Sequence, residues 1–284
     1  MDEKSAGSRL VNILVTLDEN YIPQLNVMLS TLLRFNPDCD FDVYLLHTSI
    51  RKETLTSTET LLGGRGRLIP VDASDMPLAD APTTSRYPKE IYYRIFAAKY
   101  LPETVSRILY LDPDLVINGS ILPLYNLPME DYFYAAASHI GNPGLIHKFN
   151  ELRLDMDDDS PYINSGVLLM NLELLRKEQD CGEVVKFIEK HKSLLMLPDQ
   201  DIISSLYGSR IYALDPFRYN MTERLFIMHS AFEKGLDLDW VRTHSVVIHY
   251  CGRNKPWEEN YFGSLNVFYN EAVEKMTENK DLTK

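Results

Sequence analysis

The sequence predicts an α/β protein with a mainly parallel central sheet and helices on both faces. Between Val11 and Leu111, apolar, partly β-branched runs alternate with segments of helical periodicity, which is the pattern of consecutive strand-helix-strand units. The chain has 284 residues, 45% hydrophobic and 25% charged, enough for one large α/β core or two smaller ones. Asp18 and Asp112 each follow the end of a strand-like run, and open parallel sheets bind ligands at the carboxyl ends of their strands.

Each element has a local cause. Val11 to Leu17 reads as the first strand, broken by Asp18-Glu19-Asn20. Leu25, Met28, Leu29, Leu32 and Leu33 then recur at helical spacing, with Pro23 in the first turn, where a missing N–H is tolerated. Phe41 to Leu46 and Leu68 to Val71 are the second and third strands, with a threonine-rich helix from Lys52 to Leu62 between them. Gly63-Gly64-Arg65-Gly66 follows a helix and precedes a strand, the wrong order for a phosphate loop. Asp72 to Arg86 is loop, Tyr87 to Tyr100 a helix, and Arg107 to Leu111 a strand. Beyond it, Phe133 to Ala137, Gly166 to Met170 and Ser245 to His249 read as strands. Cys181 to His191, Gln200 to Leu206 and Leu265 to Met276 read as helices. The acidic run Asp155 to Asp159 reads as a solvated surface loop, with a mobile lid as the alternative. No repeat or linker interrupts the pattern, so one continuous domain is expected over residues 10–260, followed by a C-terminal helix and polar tail over 261–284.

Composition excludes several function classes. A formal net charge of -12 with no strongly basic stretch argues against a nucleic-acid partner and against adhesion to an anionic membrane. Cys39, Cys181 and Cys251 are far apart and form neither a disulfide framework nor a zinc ribbon, which suits a reducing compartment. Met1 to Arg9 has no apolar core of the kind a signal peptide carries, and no apolar run approaches ~20 residues, the length of a membrane span. The expectation is a cytoplasmic protein, peripheral at a membrane only through a molecule it binds. The sequons Asn118-Gly119-Ser120 and Asn220-Met221-Thr222 are then chance matches.

Two segments carry chemistry. In Leu109-Tyr110-Leu111-Asp112-Pro113-Asp114, a buried strand ends in two carboxylates one residue apart. Extended residues i and i+2 share a side, and Pro113 biases Asp112 toward the extended state. Asp112 and Asp114 are therefore placed to share a hard divalent cation. Alone, Asp-Pro-Asp is equally good turn chemistry. In His249-Tyr250-Cys251-Gly252-Arg253-Asn254-Lys255-Pro256-Trp257, a histidine ends a strand, and a glycine and a lysine follow. Imidazole beside two carboxylates favours Mn²⁺ over Ca²⁺, with Mg²⁺ as the alternative. Gly252 permits close backbone approach to a phosphate, and Lys255 supplies a point charge for it. A core histidine and a structural turn are the plainer reading of the same residues.

These motifs, together with Asp18-Glu19-Asn20-Tyr21, Tyr93-Arg94, Asn164-Ser165-Gly166-Val167 and Leu197-Pro198-Asp199-Gln200-Asp201, stand in an order that resembles the family 8 retaining glycosyltransferases. That group contains glycogenin and the bacterial lipooligosaccharide galactosyltransferases, and the resemblance runs from Val11 to about Trp257. It implies a single nucleotide-diphospho-sugar domain of the GT-A type. The implied activity is metal-dependent transfer of glucose or galactose from a UDP-hexose to a saccharide or glycolipid acceptor. The implied metal ligands are Asp112, Asp114 and His249. Gly252 and Lys255 would hold the diphosphate, and Asp18 and Asn20 the uracil or ribose, with Tyr21 stacked on the base. Arg94 would reach the donor sugar or a neighbouring carboxylate. Asn164 and Asp199 would fix sugar hydroxyls, and Gln200 would lie under the anomeric carbon. Each has a structural alternative: a core aromatic for Tyr21, a helix-face ion pair for Arg94, an acidic helix start for Asp199-Gln200-Asp201. After Ala135-Ala136-Ala137 the galactosyltransferases carry an aspartate, where this chain reads Ser138-His139-Ile140. Their basic, aromatic membrane-binding tail has no counterpart in Glu278 to Lys284. Two further readings stand beside this one: a sugar nucleotidyltransferase, which should carry a Gly-rich loop after the first strand, and a catalytically silent sugar-nucleotide-binding protein.

Overall fold

A computed structural model describes residues 9–78, 81–84, 88–138, 143–157, 160–231 and 235–281. Nine strands form two sheets among these residues. They are β1 (Arg9–Thr16), β2 (Cys39–His47), β3 (Gly66–Asp72), β4 (Arg107–Leu111), β5 (Leu115–Ile117), β6 (Tyr134–Ser138), β7 (Ile163–Asn171), β8 (Ile211–Leu214) and β9 (Val247–His249). The main sheet has the order β3-β2-β1-β4-β7-β6-β8. β7 is antiparallel to both of its neighbours and every other pairing is parallel, so six strands run one way and β7 runs against them. β5 and β9 form a separate antiparallel ribbon.

The sheet is buried on both faces, and the two-residue period of each strand sorts its side chains. Val11, Ile13, Val15, Phe41, Val43, Leu45, Leu109 and Leu111 point to one core. Leu14, Tyr44, Leu46, Ile108, Tyr110, Leu168 and Met170 point to the other. The helix Ile22–Phe35 covers the first face with Leu25, Met28, Leu29 and Leu32, all 0% exposed. Burial of such side chains stabilises by about 1.5–3 kcal/mol each. Its carboxyl end is capped from outside: Arg65 donates to the carbonyl of Leu33 at 2.6 Å and to those of Asn36 and Pro37, just past the helix, at 3.2 and 3.0 Å. The second face is covered by helices including Cys181–His191 and Pro198–Tyr207. A third core, containing Met221, Val241, Ile248, Tyr250 and Phe268, packs the β5–β9 ribbon against the last helix, Asn266–Asp281.

Several expected bounds shift for local reasons. The helix expected from Tyr87 begins at Glu90, behind Pro88, and a 3₁₀ turn at Arg94–Phe96 divides it before Ala97–Tyr100. The helix expected from Gln200 begins two residues earlier because Pro198 occupies its first turn. Strand β8 and the helices Pro143–Leu154, Leu172–Glu178, Glu223–Ser230 and Leu238–His244 were not foreseen. Arg86, Tyr87, His139, Ile140, Asp158, Asp159 and the termini 1–8 and 282–284 lie outside the described residues, so the lid alternative and the aspartate replacement stay with the sequence. Of the acidic run, Asp155 is tied to Lys190 at 2.8 Å.

Candidate active site

The cluster of carboxylates and imidazole is built where the two sheets meet. β4 ends at Leu111, and the Asp112 N–H continues its ladder by donating to the Gly166 carbonyl at 2.8 Å. Pro113 and Asp114 then turn the chain into β5, whose Leu115 pairs with His249 of β9. That register sets Asp114 against the histidine. His249 Nε2 lies 3.4 Å from Asp114 Oδ1 and 3.7 Å from Asp112 Oδ2, and the three candidate ligand atoms are within 4.8 Å of one another. Gly166 closes the back of the cluster. A Cβ there would stand 2.3 Å from His249 Cε1 and 2.7 Å from Asp112 Oδ2, so any side chain would displace the ligands. Two hard oxygens and one borderline nitrogen, converging against a glycine, fit a divalent ion of the Mn²⁺ or Mg²⁺ class.

Charges are balanced locally. Asp114 is 8% exposed and its Oδ2 accepts a short hydrogen bond from Lys255 Nζ. Burial opposes its charge, but the Lys255 ammonium and the His249 ring hold its carboxyl well below the ordinary carboxylate range. Burial likewise opposes the charge of Lys255, and Asp114 reverses that effect, so the ammonium stays charged beyond its usual range. Lys255 Nζ also donates to the Tyr250 carbonyl at 2.9 Å. Gly252, at φ 89°, makes the turn that brings Lys255 back over the cluster.

All the predicted site residues except Asn20 line one cleft of about 320 Å³. Asp18 caps the 3₁₀ turn Glu19–Tyr21, accepting from the Asn20 backbone N–H at 2.9 Å and from Asn20 Nδ2 at 3.1 Å. The Asn20 side chain is thus spent on orienting Asp18. Tyr21 is 37% exposed and meets Trp257 edge-on, with ring centroids 6.4 Å apart. Its ring is therefore no buried core aromatic; it stands at the cleft wall.

The opposite wall exists because β7 is reversed. Its amino end, carrying Asn164 and Ser165, comes to lie beside the carboxyl end of β4. Arg94, 4% exposed, threads between them. Its guanidinium reaches Asp112 Oδ1 and Asp199 Oδ2, each at 3.0 Å, and donates to the Ser165 carbonyl at 3.0 Å. It also lies 4.1 Å from the centre of the Tyr110 ring. Of the two roles expected for Arg94, the contacts present are those with carboxylates. Asp199 also accepts from Ser165 Oγ at 2.6 Å. Burial pushes its carboxyl upward, and Arg94 offsets this only in part. Asn164 Oδ1 accepts from the Gly166 N–H at 3.0 Å. Gln200 is 7% exposed, and its Oε1 has no hydrogen-bond partner among the described residues. A buried amide oxygen at a cleft wall is costly unless something in the cleft donates to it.

Sequence reasoning missed four contributors. Ser165 and Gly166 stood inside a quoted motif without a role. Tyr110, whose hydroxyl donates to Asp112 Oδ1, and Asp201 had no assignment. Asp201 is 0% exposed and accepts from Arg153 at 2.7 and 2.8 Å, from Tyr162 at 2.7 Å, and from the N–H groups of Met196 and Leu197 at 2.7 and 3.1 Å. It anchors the chain entering the helix that presents Asp199 and Gln200.

With this geometry in view, the comparisons with known proteins are decisive. Residues 12–261 match glycosyl transferase family 8. The chain belongs to glycosyl transferase family 8. Among family relatives, general stress protein A of Bacillus subtilis is 26% identical over 88% of each chain. A lipopolysaccharide 1,2-glucosyltransferase of Escherichia coli is 26% identical over 93% of this chain and 82% of its own. Among solved structures, the galactosyltransferase LgtC with donor and acceptor sugar analogues superposes with a TM-score of 0.76 at 23% identity, covering 93% of this chain and 96% of that one. The glycosyltransferase GlyE of Streptococcus pneumoniae gives a TM-score of 0.71 at 21% identity, covering 94% and 61%. The fold is therefore of the GT-A type, and the expected architecture and family are both borne out. Family 8 membership makes the chain a glycosyltransferase, with a nucleotide sugar and a glycan as its partners, and sets aside the nucleotidyltransferase alternative. No helix among the described residues is long and apolar enough to cross a membrane.

Proposed function

We propose that this chain is a retaining hexosyltransferase that moves glucose or galactose from a UDP-sugar to a saccharide or glycolipid acceptor, using Mn²⁺ or Mg²⁺. Its transferase domain is residues 10–260, with 261–284 as a C-terminal helix and polar tail, and it acts in the cytoplasm, at a membrane only through its acceptor. The observation that carries this reading is the convergence of Asp112, Asp114 and His249 beneath Lys255 in the same cleft as Gln200. The sugar class is supported by relatives named as lipopolysaccharide 1,2-glucosyltransferase and lipopolysaccharide 1,3-galactosyltransferase.

In this reading Tyr21 and Asp18, the latter held by Asn20, form the nucleoside end, Gly252 and Lys255 the diphosphate end, and Asn164, Asp199 and Gln200 the sugar end. A bound divalent ion would supply charge neutralisation for the leaving diphosphate. The bond from the anomeric carbon to the phosphate oxygen breaks, and a bond to the acceptor oxygen forms on the same face. The acceptor's proton passes to the departing phosphate oxygen, and UDP leaves. Lys255 stabilises the negative charge that develops there, and Gln200 Oε1 faces the electron-poor sugar carbon. Arg94 keeps Asp112 and Asp199 in register while this happens.

Thermal shift and calorimetry with UDP test the proposal. Because the chain is strongly acidic, a diphosphate should need a cation to enter. With Mn²⁺ and UDP at ~100 times its Kd, stabilisation of ~2.7 kcal/mol is expected, and EDTA should remove most of it. Equal UDP affinity with and without EDTA would sink the metal bridge. Release of free hexose from the donor with Mn²⁺ separates an active transferase from a silent binding protein.

A further inference from the structure

Asn220 belongs to one of the two sequons, yet its side chain is committed inside the protein. It is 4% exposed, and its Oδ1 lies 2.8 Å from His249 Nδ1. The backbone puts it there. Met221 forms a bridge with Ile248, its N–H donating to the Val247 carbonyl at 3.0 Å while the His249 N–H donates to the Met221 carbonyl at 2.8 Å. The Asn220 N–H donates to the Pro216 carbonyl at 3.0 Å, closing the short helix Pro216–Tyr219. Segment 220–221 is thus laid beside β9, with Asn220 against the histidine ring.

An amide oxygen can only accept, so its partner Nδ1 carries a proton, which leaves Nε2 as the nitrogen that can offer its lone pair to a cation. Nε2 is the atom that faces Asp114 Oδ1 and Asp112 Oδ2. On the ring's other side, Gly166 leaves just enough space for Cε1. We propose that Asn220 is a positioning residue for His249, fixing the tautomer and ring orientation that let Nε2 ligate a divalent cation beside Asp112 and Asp114. The inference rests on the metal reading above and adds to it a residue that does not line the cleft.

Two readouts test it on the full chain. Nitrogen-15 NMR of the metal-free protein reports the His249 tautomer, assigned with His249→Gln. Titration with Mn²⁺, followed by the paramagnetic resonance signal of the free ion, reports affinity without any turnover. The wild-type ring is expected to carry its proton on Nδ1. Asn220→Leu, similar in volume but without an acceptor, should lose that preference and bind Mn²⁺ ~10–100-fold more weakly, the range for partners that orient a metal ligand. Asn220→Asp keeps an acceptor and should preserve the tautomer and bind within about threefold of wild type. Asp114→Asn serves as the reference for the metal reading: if it binds Mn²⁺ as wild type does, that reading falls, whatever Asn220 does. If Asp114→Asn loses binding while Asn220→Leu retains it, or if the wild-type ring is protonated on Nε2 and not on Nδ1, the role of Asn220 alone is overturned. Should Asn220→Leu fail to fold, the wild-type tautomer and the Asn220→Asp affinity still decide.

Discussion

Asp114→Asn is expected to remove Mn²⁺-dependent UDP binding and to reduce transfer to background. The substitution keeps the shape and deletes the charge. Asp114 is joined to Lys255 on one oxygen and faces His249 with the other. Without it the donor set falls to one carboxylate and one imidazole, and the Lys255 ammonium loses its partner. The loss of a ligand should exceed the ~10–100-fold typical of an outer partner. Breaking a buried ion pair also costs about 3–5 kcal/mol of stability where the remaining charge cannot escape. Lys255 is only 13% exposed at its side chain, so some loss of melting temperature should accompany the loss of binding. Circular dichroism must therefore establish that the variant is folded at the assay temperature. Turnover within a few-fold of wild type would make Asp114 a turn residue, as Asp-Pro-Asp after a strand is elsewhere.

Gln200→Ala should behave differently. It should slow transfer by ~30–150-fold, equivalent to ~2–3 kcal/mol, with kcat and kcat/KM falling together and UDP affinity nearly unchanged. The side chain stands in the first turn of the helix Pro198–Tyr207, and its Oε1 has no internal partner. Truncation therefore deletes no hydrogen bond that Oε1 makes within the folded chain. What it removes, on the proposed reading, is an acceptor directed at the sugar. Lys255→Ala provides the contrast, because it should weaken UDP binding as well as slow transfer. If Gln200→Ala unfolds the protein, or lowers UDP affinity as much as Lys255→Ala does, the role given to Gln200 is wrong.

The parts of the fold legible in the sequence are those whose causes are local. β1, β2 and β4 are buried strands and read directly as apolar runs, and the edge strand β3 is legible from Leu68, Ile69 and Val71. β5 has three residues and is too short for any period to show, whereas β9 falls inside the apolar run read from Ser245 to His249. Some unforeseen helices did carry a readable start: Asn171, Thr222 and Asp237 each accept from a backbone N–H of the first turn that follows. The reversal of β7 is different in kind. Nothing within Ile163–Asn171 states which way the strand will run, since direction is set by neighbours distant in sequence. The site divides along the same line. Asp112 and Asp114 announce themselves by spacing, and His249 by its place at a strand end. That Arg94 would join Asp112 to Asp199 depends on three separate segments meeting, which only the folded chain displays.

That junction has an energetic consequence. Because one guanidinium serves both carboxylates, Asp112 and Asp199 are thermodynamically linked although no bond joins them. Loss of either leaves the buried Arg94 to pair with the other alone, so a change at one carboxylate is felt at its neighbour. In a double-mutant cycle Asp112→Asn and Asp199→Asn should be non-additive, with a coupling of ~0.5–3 kcal/mol, and that coupling should change once Arg94 is replaced by Met, which leaves only the direct repulsion between the two carboxylates.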